Sequence, residues 1–369
     1  MKILLLGDYS NYHACLATAL RRKGHKVVVT SDGSGWMNTE RTLNFRRPLP
    51  GPVGGALLFM QLLASRRLSG YDIVSLMSPS FIKLRPSRLK VIFNRLKAHN
   101  GKVFLTSAGT DKAFMDMIVS NDCPLRYSEY FNIDGSPNPR NAQRLIDDCE
   151  WQKGEIGEFC EFIYENVDGV TTALYEYQLA MQRRIPESKL AYIGIPVDLD
   201  AVESLQRPLV HNGNVNIFLG RKREYLEFKG TDRLGEIARM VVDENPDKCC
   251  LNIVENLPYN EYLKALDVGD LVIDQLYSYT PATNALLAMA KGQAVVSGAE
   301  PEYYDFIGEK DLQPIFNPQP DDNEIYKLFT HLVNNPELII RSGAEGREFI
   351  RRHNDADLVA RRCLDFWTK

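Results

Sequence analysis

A hydrophobic run long enough to cross a membrane or to form a secretory signal is missing from this chain of 369 residues. The first apolar stretch, Ile3 to Leu6, is four residues long, which is too short for the apolar region of a signal peptide. The longest, Val53 to Ala64, is interrupted by glycine and glutamine and falls short of the roughly 20 residues that a spanning helix needs. We therefore expect a protein that is not exported through a signal peptide and is soluble or peripheral.

Patterns for disulfides and metals are also missing. The seven cysteines give an odd count, without a Cys-x-x-Cys pair or a cluster with histidine, which indicates cytosolic thiols rather than a disulfide framework or a zinc site. Two Asp-x-Asp sequences, at residues 198–200 and 355–357, match the pattern of metal-using transferases. Neither follows a nucleotide-binding strand, and we interpret both as helix caps.

Glycine-rich nucleotide motifs are missing as well. The turn after the first strand, residues 7–13, has one glycine where a dinucleotide-binding turn needs three, and the turn that starts at Gly220 fails in the same way. No Walker sequence is present. These absences argue against a nicotinamide-dependent dehydrogenase.

What the chain does contain is a regular alternation of buried strands and amphipathic helices in two series. The composition, 44% apolar and 25% charged, is that of ordinary globular proteins, and the length fits two domains. Each series predicts a doubly wound parallel sheet. We predict an α/β protein with two Rossmann-like domains facing a cleft, at residues 1–197 and 198–352, with a last helix at about 353–369 that crosses back to the first domain.

The strongest local signal is a helix predicted over residues 281–291. Thr280 is a good N-cap, Pro281 suits the first helical position, and Gly292 suits the stop. The absence of polar side chains over 285–290 predicts a helix buried on all sides, whose amino end would offer N–H groups and partial positive charge to a phosphate. An ordinary core helix is the alternative. Two small residues would let an anion approach closely, namely Ala282 and Thr283.

Two cations stand just after the first strand of the second series, where ligands of doubly wound sheets bind. Arg221 and Lys229 could converge with the helix start at 280 on one diphosphate, and would neutralise it without a metal. Solvated surface positions are the alternative for each.

With these residues in view, the sequence resembles the GT-B glycosyltransferases, in particular glycosyltransferase family 4. The resemblance covers most of the chain and is clearest over residues 215–305. It is carried by Gly220-Arg221, Lys229-Gly230, the run 257–274, Ala288-Met-Ala-Lys-Gly292 and Pro301-Glu302. The Asp274-Gln275-Leu variant is similar to a bacterial subgroup associated with surface polysaccharides.

The resemblance implies a sugar transferase that uses a nucleotide diphosphate sugar and a hydroxyl acceptor, with retention of configuration and with no cofactor besides the donor. The first domain would serve the acceptor and the second the nucleotide sugar. Arg221 and Lys229 would bind the diphosphate, and the loop at Asn256-Leu257 would face the base. Gly7 would lie in the first-strand turn facing the cleft, and no nucleic acid is implied.

The sequence departs from the family at two glutamates. They are expected eight positions apart, where this chain has Tyr279 and Leu287. In the family the first supports the transferred sugar and the second the ribose hydroxyls. Glu302 or Asn284 would take over the ribose contact, and a surface or capping role is the alternative for each.

In the first domain, Asp111 follows a strand where the family often has a catalytic-loop histidine or aspartate. It would orient the acceptor hydroxyl or steady a sugar cation, and it is equally well placed to cap a helix near 112–119. His13 is interpreted either as a helix-surface residue or as a ligand.

Charge is unevenly distributed and suggests a partner. Residues 1–100 hold 16 basic and four acidic residues, a net charge of +12, against −16 for the rest of the chain. We expect a cytoplasmic protein in peripheral contact with an anionic inner membrane face, where it would meet a glycan or lipid-linked acceptor. Solvated helix faces are the alternative. The candidate contact residues are Arg66, Arg67, Lys83, Arg85, Arg88, Lys90, Arg95 and Lys97.

Two other functions stay open at this point. The missing glutamates favour a GT-B-like binding or scaffold protein that has lost catalysis. A nucleotide-sugar epimerase is a weaker enzymatic alternative.

Overall fold

The computed structural model describes residues 1–210 and 213–369. The strands are β1 (Lys2–Leu6), β2 (Lys26–Ser31), β3 (Leu43–Asn44), β4 (Ile73–Met77), β5 (Lys102–Ser107), β6 (Gly169–Thr172), β7 (Leu190–Tyr192), β8 (Val215–Arg221), β9 (Cys249–Glu255), β10 (Leu271–Ile273) and β11 (Ala294–Val296). The α-helices are α1 (Tyr12–Arg22), α2 (Gly51–Ala64), α3 (Pro86–His99), α4 (Lys112–Ile118), α5 (Ala142–Asp148), α6 (Gly154–Asn166), α7 (Tyr175–Gln182), α8 (Leu226–Lys229), α9 (Thr231–Glu244), α10 (Tyr259–Leu266), α11 (Thr283–Lys291), α12 (Pro301–Ile307), α13 (Asp322–Asn334), α14 (Pro336–His353) and α15 (Ala356–Trp367).

The first sheet has seven parallel strands in the order β3-β2-β1-β4-β5-β6-β7. Its central strands are rich in apolar residues because helices cover both faces of the sheet. All five residues of β4 are buried. The strand order reverses between β1 and β4. Ligands of such sheets bind at the carboxyl ends beside this switch point.

The second sheet has four parallel strands in the order β11-β10-β8-β9. Its switch point lies between β8 and β10, where Leu219 is paired with Ile273 at the carboxyl ends. The loops that follow these two strands carry the residues that the sequence predicts to bind phosphate. The prediction of two parallel α/β sheets is confirmed.

The chain divides into two compact units. The first comprises Met1–Cys123, Ile146–Pro196 and Ala356–Lys369, and the second comprises Pro124–Leu145 and Val197–Asp355. Residues 124–145, which the sequence analysis assigned to the first domain, therefore pack with the second unit, and we call this segment the strap. Aromatic and polar side chains of the strap hold it against the second unit, for example Tyr130, whose ring centroid lies 6.1 Å from that of Phe228. Hydrophobic periodicity in the sequence does not predict contacts of this kind.

The last helix, α15, belongs to the first unit. The rings of Phe366 and Trp367 lie 5.6 Å and 6.1 Å from that of Phe104 on β5. The guanidinium of Arg362 donates to the carbonyl of Ile193 at 3.1 Å. This helix thus covers one face of the first sheet.

The sequence pattern predicts one long polar helix near residues 140–166, and the structure interrupts it. A 3-10 turn over Cys149–Gln152 splits this segment into α5 and α6. Lys153 then takes an extended backbone (φ −122°) and Gly154 a left-handed one (φ 54°). A left-handed residue cannot continue an α-helix from the preceding turn, so the chain changes direction at Gly154, the first residue of α6.

Candidate functional site

The two loops at the switch point of the second sheet are in direct contact. The backbone N–H of Leu276, after β10, donates to the carbonyl of Lys229 at 2.8 Å, and Lys229 Nζ lies 3.8 Å from Asp274 Oδ1. Gly230 adopts φ +67°, and a Cβ there would lie 2.7 Å from that of Leu276. Glycine is therefore required for this close approach, which places Lys229 beside the β10 loop.

Arg221 is the last residue of β8, at the same carboxyl edge of the second sheet. Its Nε donates to Glu255 Oε2 at 3.2 Å, and Arg223 binds the other oxygen of that carboxylate. Hydrogen bonds from Arg223, with the charge of Arg221, lower the pKa of Glu255. Two arginines share one carboxylate, so this corner keeps a net positive charge that suits an anion.

The Asn256-Leu257 loop lies directly beside Arg221. Asn256 adopts φ 54°, a left-handed conformation in which asparagine is several-fold enriched. Its backbone N–H donates to the carbonyl of Arg221 at 3.1 Å, and its side-chain oxygen accepts from the N–H of Arg223 at 3.3 Å. The loop expected to face the base is thus held next to the first cation.

The start of α11 differs from the sequence prediction. Thr280 is not the N-cap: the helix begins at Thr283 and Ala282 occupies the cap position without a capping side chain. Pro281 disfavours a helical conformation at the residue before it, and Ser278 closes a turn by accepting from the N–H of Thr280 at 3.2 Å and donating to its carbonyl. The helix amino end still opens beside the β10 loop, two residues later than expected.

Asn284, in the first turn of α11, takes part in a side-chain network at the strand ends. It accepts from the hydroxyl of Tyr262 and donates to Asp274 Oδ1 at 3.3 Å. Asp274, which is 2% exposed, also accepts from Ser297 at 3.2 Å. This network fixes the first turn of α11 relative to β10 and β11.

The position of the first missing glutamate is covered by the strap. The hydroxyl of Tyr279 accepts from the backbone N–H groups of Arg126 and Tyr127. Arg126 also binds Glu300 and donates to Glu302 Oε1 at 3.1 Å. The sequence did not identify Arg126 as a site residue. Its one signal at this position was Tyr279 in place of the expected glutamate, which does not indicate the residue that contacts it.

At the switch point of the first sheet, Gly7 adopts φ +81°, and a Cβ there would lie 3.0 Å from the carbonyl oxygen of Phe81. Asp8 is buried and accepts from Thr39 and from the N–H of His13, and burial raises the pKa of Asp8 to about 6. His13 itself is fully buried, so its interpretation as a surface residue is wrong: it packs against the sheet, and burial lowers its pKa to about 4.

Asp111 caps α4, as one of its two interpretations expected. Its carboxylate accepts from the N–H of Phe114 at 3.0 Å. Burial raises the pKa of Asp111 to about 6. Asp111 is 1% exposed, and the N–H of Phe114 in the first turn of α4 orients its carboxylate.

Metal-binding clusters and membrane-spanning helices are both absent from the residues that the structure describes. In the parts described, residues 1–210 and 213–369, no three histidine, cysteine or acidic side chains lie together as a metal-binding group. No helix of those same residues has the length and hydropathy to cross a bilayer.

Solved structures resemble the whole chain. Sucrose-phosphate synthase from Thermosynechococcus elongatus is 14% identical with a TM-score of 0.64, over 100% of this chain and 98% of that one. HepE from Anabaena in complex with UDP-glucose is 12% identical with a TM-score of 0.59, over 100% and 99%. TarM is 14% identical with a TM-score of 0.55, over 90% of this chain and 60% of TarM. The fold is of the GT-B type.

The predicted fold class is therefore confirmed. No protein-family model matches the chain, and no curated protein sequence matches it. Within the GT-B fold, Arg221, Lys229 and the start of α11 belong to the second Rossmann-like unit.

Proposed function

We propose that this chain is a glycosyltransferase of the family 4 type, which moves a hexose-type sugar from a nucleotide diphosphate sugar to a hydroxyl group. The observation that carries the proposal is the meeting of the Lys229 loop, Arg221 and the uncapped start of α11 at one switch point. The solved neighbours HepE, bound to UDP-glucose, and sucrose-phosphate synthase support it.

The chemistry follows from charge at this edge. Arg221, Lys229 and the amino end of α11 would stabilise the diphosphate as the bond from the sugar C1 to the phosphate oxygen breaks. The acceptor oxygen forms the new bond to C1 on the same face, and its proton passes to the departing phosphate oxygen. The products are the glycosylated acceptor and a nucleoside diphosphate. No metal is needed in this scheme, because protein groups carry the positive charge.

The remaining site residues take supporting roles in the proposal. The loop at Asn256-Leu257 faces the base, and Glu302 or Asn284 contacts the ribose. Thr280, Ala282 and Thr283 line the approach to the helix start. In the first unit, Asp111 and the turn at Gly7 serve the acceptor, a role that rests on the family resemblance.

The acceptor is proposed to be lipid-linked and met at an anionic cytoplasmic membrane face, during assembly of a surface glycan. Three large apolar side chains share one face of α2 and are strongly exposed: Val53 at 63%, Leu57 at 47% and Met60 at 62%. The Arg88 guanidinium lies 5.6 Å from the Phe59 ring and Arg47 approaches Gly55, both on the opposite side of α2. An exposed apolar stripe within the first 100 residues, which carry a net charge of +12, fits the interface of an anionic bilayer.

A thermal-shift screen with UDP, GDP, ADP and CMP sugars tests the donor class. A ligand at about 100 times its Kd adds about 2.7 kcal/mol of stability, which is easily measured. Release of nucleoside diphosphate that depends on donor and acceptor then separates a transferase from a GT-B-like scaffold, the alternative that the missing glutamates favour. An epimerase would instead change the donor sugar without releasing the diphosphate.

A further inference from the structure

Five cationic side chains lie at one corner of the first unit. The corner is formed by the loops that follow β2, β3 and β4 and by the start of α3, at the carboxyl edge of the first sheet. It adjoins the Gly7 turn, because the hydroxyl of Thr39 donates to Asp8 Oδ2 at 2.7 Å. The N–H of Ser10 also donates to the hydroxyl of Ser34 at 2.7 Å. We call this region the basic corner, and its cations are Arg41, Arg46, Arg47, Lys83 and Arg88.

Arg41 and Arg46 share one neutral acceptor. Nη1 of Arg41 and Nη2 of Arg46 donate to Oδ1 of Asn38 at 3.1 Å and 3.2 Å. Nε of Arg46 also donates to the backbone carbonyl of Asp32 at 2.8 Å. A Cβ at Gly33 would lie 2.4 Å from Nη1 of Arg41, so glycine leaves the space that this guanidinium occupies. The two arginines are therefore held side by side by oxygens that carry no net charge.

Arg47 and Arg88 form the other side of the basic corner. Nε of Arg47 donates to the backbone carbonyl of Lys83 at 2.9 Å. A Cβ at Gly55 would lie 3.4 Å from Nη1 of Arg88 and 3.8 Å from Cζ of Arg47. These two guanidinium groups therefore approach each other beside α2, and Arg47 is again oriented by a neutral oxygen.

The positive charge of the basic corner is largely unbalanced. In the parts of the chain that the structure describes, its four arginines have no carboxylate within 4 Å, and Lys83 is paired with Asp32 at 2.6 Å. Glu40, an exposed acid of the same loops, is paired with Arg21 at 3.3 Å. Like charges this close repel one another, and the neutral oxygens that orient them do not cancel the charge. An anion bound at the corner would offset this repulsion.

We propose that the basic corner binds the phosphate groups of the acceptor. Guanidinium groups match phosphate oxygens with paired hydrogen bonds, and four of them carry more charge than one carboxylate balances. The bound group is therefore a diphosphate or a phosphate ester, carried by a lipid or by a soluble sugar. This inference rests on the proposed function, in which the first unit serves the acceptor, and it specifies the charged group of that acceptor.

The test is calorimetry with inorganic pyrophosphate on the full chain carrying Arg221→Ala and Lys229→Ala, so that the donor site does not bind the probe. Adding Arg46→Gln and Arg47→Gln should weaken pyrophosphate binding about tenfold or more, because each change removes a charge-assisted hydrogen bond. The matched control is Lys2→Gln with Lys26→Gln, which removes two charges from exposed residues paired at the amino edge of the same sheet. We expect a change of about twofold or less there, because salt screens distant exposed charges.

A second variant separates anion binding from folding. Asn38→Asp places a carboxylate at the position that both Arg41 and Arg46 already contact. Asn38 has φ 47°, a conformation in which aspartate is also enriched. The new carboxylate pairs with the two arginines, so pyrophosphate binding should weaken about tenfold while Tm does not fall. If the arginines only held the loop in place, this variant would leave the affinity for pyrophosphate unchanged.

Farnesyl diphosphate and glucose 6-phosphate then distinguish a lipid from a soluble source of the phosphate, according to which of them binds more tightly. Absence of pyrophosphate binding, unchanged affinity in both the arginine and the Asn38 variants, an equal loss in the lysine control, or equally tight binding of glucuronate overturns the inference. These results leave the proposed function standing, because nucleoside diphosphate binding and release are measured on the chain with Arg221 and Lys229 intact. If no nucleoside diphosphate binds that chain, the proposed function fails even where pyrophosphate binds the basic corner, and the corner then loses its role as an acceptor site.

Discussion

Lys229 Nζ lies 3.8 Å from Oδ1 of Asp274 at the switch point of the second sheet. Asp274 is buried, whereas the Lys229 side chain is 38% exposed. The separation exceeds that of a good hydrogen bond, so the carboxylate orients the ammonium without consuming its three donors. Lys229 is thus positioned by the β10 loop and still able to donate to an anion.

The first prediction concerns this lysine and Arg221. A charge-assisted hydrogen bond contributes about 1.5–3 kcal/mol, so Lys229→Ala and Arg221→Ala should each weaken nucleoside diphosphate binding about tenfold or more. Calorimetry measures the effect. Arg223→Ala is the matched control, because Arg223 shares Glu255 with Arg221 but is 77% exposed. Unchanged affinity in both site variants would remove these residues from the donor site.

The second prediction is that turnover persists in EDTA. Two cations and a helix amino end supply the positive charge that a metal would otherwise bring to the leaving diphosphate. The rate of nucleoside diphosphate release is measured before and after chelation. Abolished turnover that Mg²⁺ or Mn²⁺ restores would show that the protein groups are insufficient.

The third prediction is a pH dependence of stability at Asp8. Burial raises its pKa from 3.8 to about 6, so the folded chain binds the proton more tightly than the unfolded chain does. Proton binding by Asp8 therefore adds its full contribution to the free energy of unfolding below pH 3.8, and this contribution is lost as the pH rises to about 6. Relative to Asp8→Asn, the native chain should lose on the order of 2–3 kcal/mol of unfolding free energy across that range. Urea unfolding of both proteins at several pH values measures the difference, and a difference that does not change with pH contradicts it.

The fourth prediction tests the membrane contact. The full chain should co-sediment with anionic but not neutral vesicles at low salt, and less so in 0.5 M salt, since each nearby cation contributes about 1 kcal/mol that salt screens. The triple variant Val53→Ser, Leu57→Ser, Met60→Ser should lose this binding. Met240→Ser, which alters a side chain 54% exposed on α9, is the control. Absence of binding by the unaltered chain at low salt leaves the basic region without a membrane role.

Local signals predicted most of the elements. The sequence pattern predicts helices over residues 259–266 and 322–334, and the structure has α10 and α13 with these bounds, Tyr259–Leu266 and Asp322–Asn334. Apolar periodicity and capping residues lie within these segments themselves. The start of α11 was misplaced, because Ser278 closes a turn that competes with the capping role of Thr280.

The strap could not be predicted in the same way. Its anchor joins Tyr127 to Glu300, which are 173 positions apart. Hydrophobic periodicity does not predict this contact, because the contact depends on one carboxylate and the hydrogen-bond donors around that carboxylate. The burial of His13 has a similar origin, in a sheet assembled from strands distant in sequence.

Donor-dependent release of nucleoside diphosphate tests the central claim most directly. With the donor selected by thermal shift and a hydroxyl acceptor, the unaltered chain should release diphosphate at a steady rate. The double variant Arg221→Ala, Lys229→Ala should lose about 100-fold or more in kcat/KM, if each cation contributes at least about 1.4 kcal/mol to the transition state. Release by the double variant at the rate of the unaltered chain would contradict the account, as would binding of the donor with no release above the uncatalysed rate.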